Sequence, residues 1–113
     1  PTKYIICSTY GQELADDFGR KVRNQLQDPR YQEVFEDTGL ATDSSSMRRF
    51  NTTKGGVYYA VGAGSAITGR GAHLLLIDDP IKGREDADSE AMRNNLLDWY
   101  RSTAYTRLMG VLF

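Results

Sequence analysis

The sequence has one cysteine, Cys7, and one histidine, His73, in 113 residues. A single thiol excludes an intramolecular disulfide and a cysteine-built zinc site, and a single imidazole excludes a multi-histidine metal cage. Cys7 reads as a small buried hydrophobe in a strand. His73, beside an apolar run, reads as structural rather than catalytic. Charge of one sign is also missing: 14 basic residues stand against 15 acidic ones, for a net charge of −1. That excludes a whole-surface attraction to nucleic acid and leaves only a local basic patch. The longest strongly apolar run is Leu74–Ile77, far short of the roughly 20 residues that span a bilayer. No basic start followed by an apolar stretch marks a secretory signal. No membrane partner is expected, and a reducing compartment fits the thiol content.

What is present is an ordinary globular mixture, 40% apolar and 26% charged. A chain of this length reads as a single domain over 1–113 that folds without staples. Lys3–Thr9 is rich in β-branched and aromatic residues and predicts a strand buried on both faces. Thr9 and Gln12 have capping-box spacing. The helix that follows carries Leu14, Phe18, Val22 and Leu26 as one apolar stripe. Asp28-Pro29 ends it and offers a cap and a first-turn proline to a short second helix, which Gly39 would close. Ala41–Ser46 reads as a loop. Met47–Thr53 and Val57–Val61 predict a hairpin around Lys54-Gly55-Gly56. Gly62–Gly71 must be irregular, and His73–Ile77 predicts a fully buried central strand. Asp88 or Ser89 caps a last helix to about Leu108, with Met92, Leu96, Trp99, Thr103 and Leu108 near one face. The order strand–helix–hairpin–strand–helix is an α/β pattern.

Two stretches carry chemistry. Gly64–Gly69 has the G-x-x-x-x-G spacing of a phosphate-cradling P-loop, but Arg70-Gly71 stands where Lys and Ser/Thr are required. The stretch also leads into a strand, whereas a P-loop opens a helix whose N-terminus faces the phosphates. Gly64–Gly71 is therefore a flexible crossover and not a Walker A motif. Leu74-Leu75-Leu76-Ile77-Asp78-Asp79 has the form of a Walker B motif, an apolar strand projecting a carboxylate from its C-terminal end. In that reading Asp78 holds Mg²⁺ through its waters and Asp79 polarises the attacking water, with one methylene less reach than the usual Glu. The plainer reading is a strand-ending turn at Asp78-Asp79-Pro80.

Thr68-Gly-Arg-Gly-Ala-His-Leu-Leu-Leu-Ile-Asp-Asp-Pro-Ile-Lys82 resembles the Walker B region of tailed-phage terminase large subunits. Trp99-Tyr-x-x-Thr-x-x-Thr-Arg-Leu108 is similar to that family's helix after Walker B. Tyr4–Arg23 looks like the strand and helix that follow its P-loop helix. The resemblance covers nearly the whole chain. It implies a partial RecA-like P-loop NTPase sheet, with flanking helices and a β-hairpin and lacking the P-loop. The full family protein is a DNA-packaging motor and nuclease that uses ATP and Mg²⁺. Its partners are the portal protein, the small terminase subunit and double-stranded DNA, and its place is the cytoplasm of the host cell.

Residue by residue, the resemblance makes Asp78 the Mg²⁺-holding carboxylate and Asp79 the catalytic carboxylate. Arg70 is either a finger offered to a neighbour's ATP or an exposed loop arginine. Ser8 and Thr9 lie near the nucleotide or serve as a cap, the cap being the simpler role. Departures from the family pattern are as informative. The sequence contains no Walker A motif and no nuclease carboxylate cluster, so the chain alone is expected neither to hydrolyse ATP nor to bind it or Mg²⁺ tightly. The resemblance implies the Walker B part of a motor domain, whether cut from a larger gene or left as a prophage remnant.

Two further readings remain open. One is a non-catalytic assembly or interaction module. The other is an unrelated small α/β binding domain, whose mark would be His73–Ile77 at a sheet edge. A sheet lacking its P-loop and coupling strands exposes edges, so self-association is expected. Arg48, Arg49, Lys54, Lys82 and Arg84 are the obvious basic residues, and DNA binding through them would be weak and salt-sensitive.

Overall fold

The computed structural model describes residues 2–67 and 71–108, with the backbone alone for residues 43–45. They form an α/β fold. Strands β1 (Tyr4–Thr9), β2 (Leu40–Ser45), β3 (Arg49–Thr52), β4 (Val57–Gly62) and β5 (Leu74–Ile77) make a mixed sheet in the order β2-β3-β4-β1-β5. The expected hairpin is present: β3 and β4 run antiparallel with Asn51 opposite Val57 and Phe50 opposite Tyr58. Its turn uses Gly55 at φ 87°, a conformation glycine adopts without steric cost. β1 then pairs in parallel with β4 on one side and β5 on the other.

Helix α1 (Gln12–Gln27) and the short α2 (Pro29–Val34) follow β1. As expected, Asp28 caps α2, accepting the Arg30 N–H at 2.9 Å. α3 (Arg84–Asp88) and α4 (Glu90–Trp99) follow β5, and the Ser89 hydroxyl caps α4 by accepting the Met92 N–H at 3.3 Å. The last helix continues to Arg107, one residue short of the expected end, through a wide π-type segment, Tyr100–Ala104, and a tight one, Tyr105–Arg107.

The sheet is covered on both faces, and the two small cores explain why β1 is buried. Ile6, Val61, Ile67, Ala72, Trp99 and Ala104 form one core. Ala15, Leu26, Phe50, Tyr58 and Ala60 form the other, beneath α1, with Ile5 and Cys7 packed against it. Phe50 and Tyr58 stack there at 5.0 Å. His73 has the structural role expected of it: its Nδ1 accepts the Tyr4 N–H at 3.0 Å, and the two rings meet edge to face.

Four expectations need correction. Ala41–Ser46 is not a loop: most of it belongs to β2, whose ladder to β3 contains an irregularity between Leu40 and Ser45. A polar edge strand shows no apolar alternation for a sequence pattern to find. Gly39 does not close α2, which ends at Val34; it stands just before β2. The buried residues of α1 are Ala15, Gly19 and Leu26, rather than the Leu14–Phe18–Val22 stripe. Small residues let the helix approach the sheet closely, so it rotates to bring them inward. Finally, His73–Ile77 is not a buried central strand. Among the described residues β5 is an edge, with Leu74, Leu76 and Ile77 each more than a third exposed. An apolar run reports a demand for burial, not what meets it. Here Leu75 packs on the Trp99 core, whereas α1 lies chiefly over β4 and leaves Leu74 and Leu76 uncovered.

A second tie fixes α1. Arg48, between β2 and β3, grips Asp16 with Nε to Oδ1 at 3.1 Å and Nη2 to Oδ2 at 2.9 Å. Gln12 Nε2 adds a bond to Asp16 Oδ1 at 2.8 Å. The Arg48 hydrogen bond leads in holding the Asp16 carboxyl below its usual 3.8, outweighing partial desolvation, with Gln12 assisting.

Two outcomes follow. Gly19→Ala gains about 1 kcal/mol of helix propensity, but the new methyl meets the Met47 carbonyl, which is backbone and cannot swing aside. Overpacking costs about 1–3 kcal/mol and more against a fixed obstacle, so urea unfolding shows net destabilisation. Asp16→Asn lowers stability at neutral pH by at most about 1 kcal/mol, the pair being half solvated. Because the folded pKa is depressed, this contribution is present above the unfolded value and fades as pH falls through the folded one. Wild type and variant therefore converge in acid, which unfolding curves across pH 2–7 check.

Candidate functional site

Parallel strands end at one rim. β1, β4 and β5 all finish there, at Thr9, Gly62 and Ile77. The chain leaves β1 toward β4 by way of α1 and the hairpin, then crosses back over β1 to reach β5. Such a reversal beside a strand's carboxyl end is where open α/β sheets collect ligands.

Asp78 and Asp79 occupy this rim. Ser8 pairs with Ile77, and the Asp78 N–H donates to the Ser8 carbonyl at 2.9 Å, so the ladder holds the backbone that carries the Asp78 carboxylate. Both aspartates are exposed. Asp79 has φ 44° and is the sole non-glycine residue with positive φ among those described. Aspartate tolerates the left-handed region better than most residues, yet at a cost, and the following Pro80 narrows its options further. Strain of this kind gathers at functional positions but does not by itself prove one. Arg70 lies outside the described residues.

Ser8 and Thr9 are both fully buried, and their roles diverge. The Thr9 hydroxyl donates to the Gly11 carbonyl at 3.0 Å, which shapes the turn. Thr9 therefore does not cap α1. The residue before α1 is Gly11, with no side-chain cap. Gln12 does not complete a capping box. Its side chain instead crosses to β4, donating to Ala60 O at 3.0 Å and accepting the Gly62 N–H at 3.1 Å. A glutamine at that position gives no sequence signal distinguishing the two uses. Ser8 Oγ is buried without a hydrogen-bond partner, an uncommon state for a hydroxyl.

Beside the rim an open cavity of about 470 Å³ is lined by Tyr10, Gly11, Gln12, Glu13, Leu14, Asp17 and Lys82. Its lining carries Lys82 together with Glu13 and Asp17, so its charge is mixed. Among the described residues no three His, Cys, Asp or Glu side chains gather as a metal cage. The carboxylates of Asp78 and Asp79 suit instead a hard cation that keeps most of its waters. Of the basic residues singled out, Arg48 is engaged by Asp16, and Arg84 has Asp88 at 3.9 Å. No described helix is long and apolar enough to cross a membrane.

Compared with known proteins, the chain matches no family model, no curated protein and no solved structure.

The orphaned hydroxyl and the strained aspartate each make a testable case. Ser8→Ala is neutral or stabilising by up to about 1 kcal/mol, because the methyl removes an uncompensated burial. Asp79→Gly raises stability by a similar amount, since glycine takes positive φ freely. Thermal unfolding of both variants checks this, and destabilisation beyond about 1 kcal/mol in either contradicts the assigned cause.

Proposed function

We propose that this chain is the Walker B part of the ATPase domain of a tailed-phage terminase large subunit, with a RecA-like P-loop NTPase architecture completed by segments not in this sequence. The observation that carries the reading is the pair Asp78-Asp79 at the carboxyl end of a strand in a parallel three-stranded unit, β4-β1-β5. The motifs from Thr68 to Lys82 and from Trp99 to Leu108 support it. Asp78 is the residue that holds water-ligated Mg²⁺, and Asp79 the one that orients water toward a phosphate. Bound Mg²⁺ would neutralise charge on the nucleotide's phosphates. Arg70 belongs to this reading as a residue offered to a neighbouring subunit's ATP. Portal protein, small terminase subunit and double-stranded DNA are its partners, in the cytoplasm of the host.

A second reading has one observation in its favour. The edge position of β5 among the described residues suits a small α/β binding domain in which Asp78-Asp79-Pro80 is only a turn. It suits equally a sheet whose remaining strands are supplied from elsewhere.

The test joins a P-loop-bearing segment N-terminal to this chain. The terminase reading expects Mg-dependent nucleotide binding to appear in the joined protein and to be lost with Asp78→Ala, while the chain alone turns over no ATP. Turnover by the chain alone that Asp78→Ala abolishes would overturn the expected inactivity. Assembly or partner capture with no nucleotide dependence would favour the interaction module.

A further inference from the structure

A further cavity opens at the end of the sheet opposite Asp78 and Asp79, where β1 and β4 begin. Asn51 and Arg49 of β3 stand opposite Val57 and Tyr59 of β4, which in turn stand opposite Tyr4 and Ile6 of β1. Directly opposed residues share a face of the sheet, as do residues two apart along a strand. All six therefore lie on the face that carries the Trp99 core. That core includes Ile6, with Tyr59 packed against it, but neither Tyr4 nor Val57. The helices after β5 thus cover one end of this face and leave the amino ends of β1 and β4 open. Tyr4, Ile6, Arg49, Val57, Tyr59 and Gly71 are among the residues lining the resulting cavity, whose volume is about 180 Å³.

The polar chemistry of this patch is incomplete. Arg49 Nε and Asn51 Oδ1 are both sealed from water without a hydrogen-bond partner. Among the described residues no carboxylate pairs with the half-buried Arg49 guanidinium, and the described lining of the cavity holds no acidic residue. A partly desolvated charge between aromatic and aliphatic walls is costly without a counter-ion, and the guanidinium fork matches a carboxylate. One such cation balances a monoanion better than a phosphate dianion. The size of the cavity sets the rest, since roughly 150 Å³ suffices for benzene. Pockets for larger ligands run to roughly 300–1,000 Å³, so this one is too small for a nucleotide. We propose that it binds a single-ring aromatic carboxylate, with the carboxylate on the Arg49 Nη atoms and the ring against Tyr4 and Tyr59. The proposal is independent of the terminase reading.

Benzoate titrated into the isotope-labelled full chain tests it, read by the backbone amide and Arg49 Nε–H resonances. The expected result is saturation with a Kd of about 1 mM or tighter, with shifts centred on Arg49, Val57 and Tyr59 and absent at Asp78. Benzamide, which keeps the ring and lacks the charge, should bind at least about tenfold more weakly, and Arg49→Gln should weaken benzoate by a similar factor. The benzamide comparison needs no variant and decides the matter if Arg49→Gln unfolds. No saturation by about 10 mM benzoate, or shifts centred away from Arg49, would overturn the proposal. So would benzamide binding as tightly as benzoate, or inorganic phosphate competing equally well, which marks an unselective anion site.

Discussion

The parallel pairing of β1 on both of its sides is the constraint on which the rest of this structure depends. β4 and β5 are joined to β1 and not to each other. Without β1 the hairpin and the Asp78-Asp79 rim would belong to separate pieces. Its sequence suits that position. Ile6 and Ser8 face the Trp99 core, while Ile5 and Cys7 face the α1 core. Parallel strands cannot be joined by a tight turn, so each neighbour of β1 is reached through a long crossover. The crossover from β1 to β4 carries α1, and the helices after β5 cover the opposite face.

Much of this was legible in the residues. β1, the hairpin with its Gly55 turn, the Asp28 cap and the Ser89 cap follow from local chemistry that tertiary context had no reason to override. What was not legible depended on neighbours. The rotation of α1 toward Ala15 and Gly19 reflects how closely the Met47 carbonyl approaches, a distance no helical periodicity encodes. The strand at Leu40–Ser45 forms because β3 offers an edge, not because its polar residues ask for one. The apolar run at Leu74–Ile77 implied burial, and the described residues supply a neighbour on one side only.

The candidate site divides in the same way. Asp78 and Asp79 were identifiable from their place after an apolar run, and the register with Ser8 accounts for how the backbone is held. The positive φ of Asp79 and the unpartnered Ser8 hydroxyl were not identifiable, since both arise from the geometry of the rim. Gln12 shows the converse. Its spacing from Thr9 fits a local cap, yet it spends its side chain bridging α1 to the end of β4, which draws the start of the helix to the rim.

The proposed function rests on Asp78 and Asp79 acting as a cation-holding pair at the end of this sheet. The most direct measurement titrates Mn²⁺, as a paramagnetic stand-in for Mg²⁺, into the isotope-labelled chain and follows amide line broadening. The account predicts that broadening begins at Asp78, Asp79 and Ser8 and is lost in Asp78→Asn. Broadening centred instead on Glu13 and Asp17, or on Asp86 and Asp88, with the Asp78 amide unaffected, would contradict it.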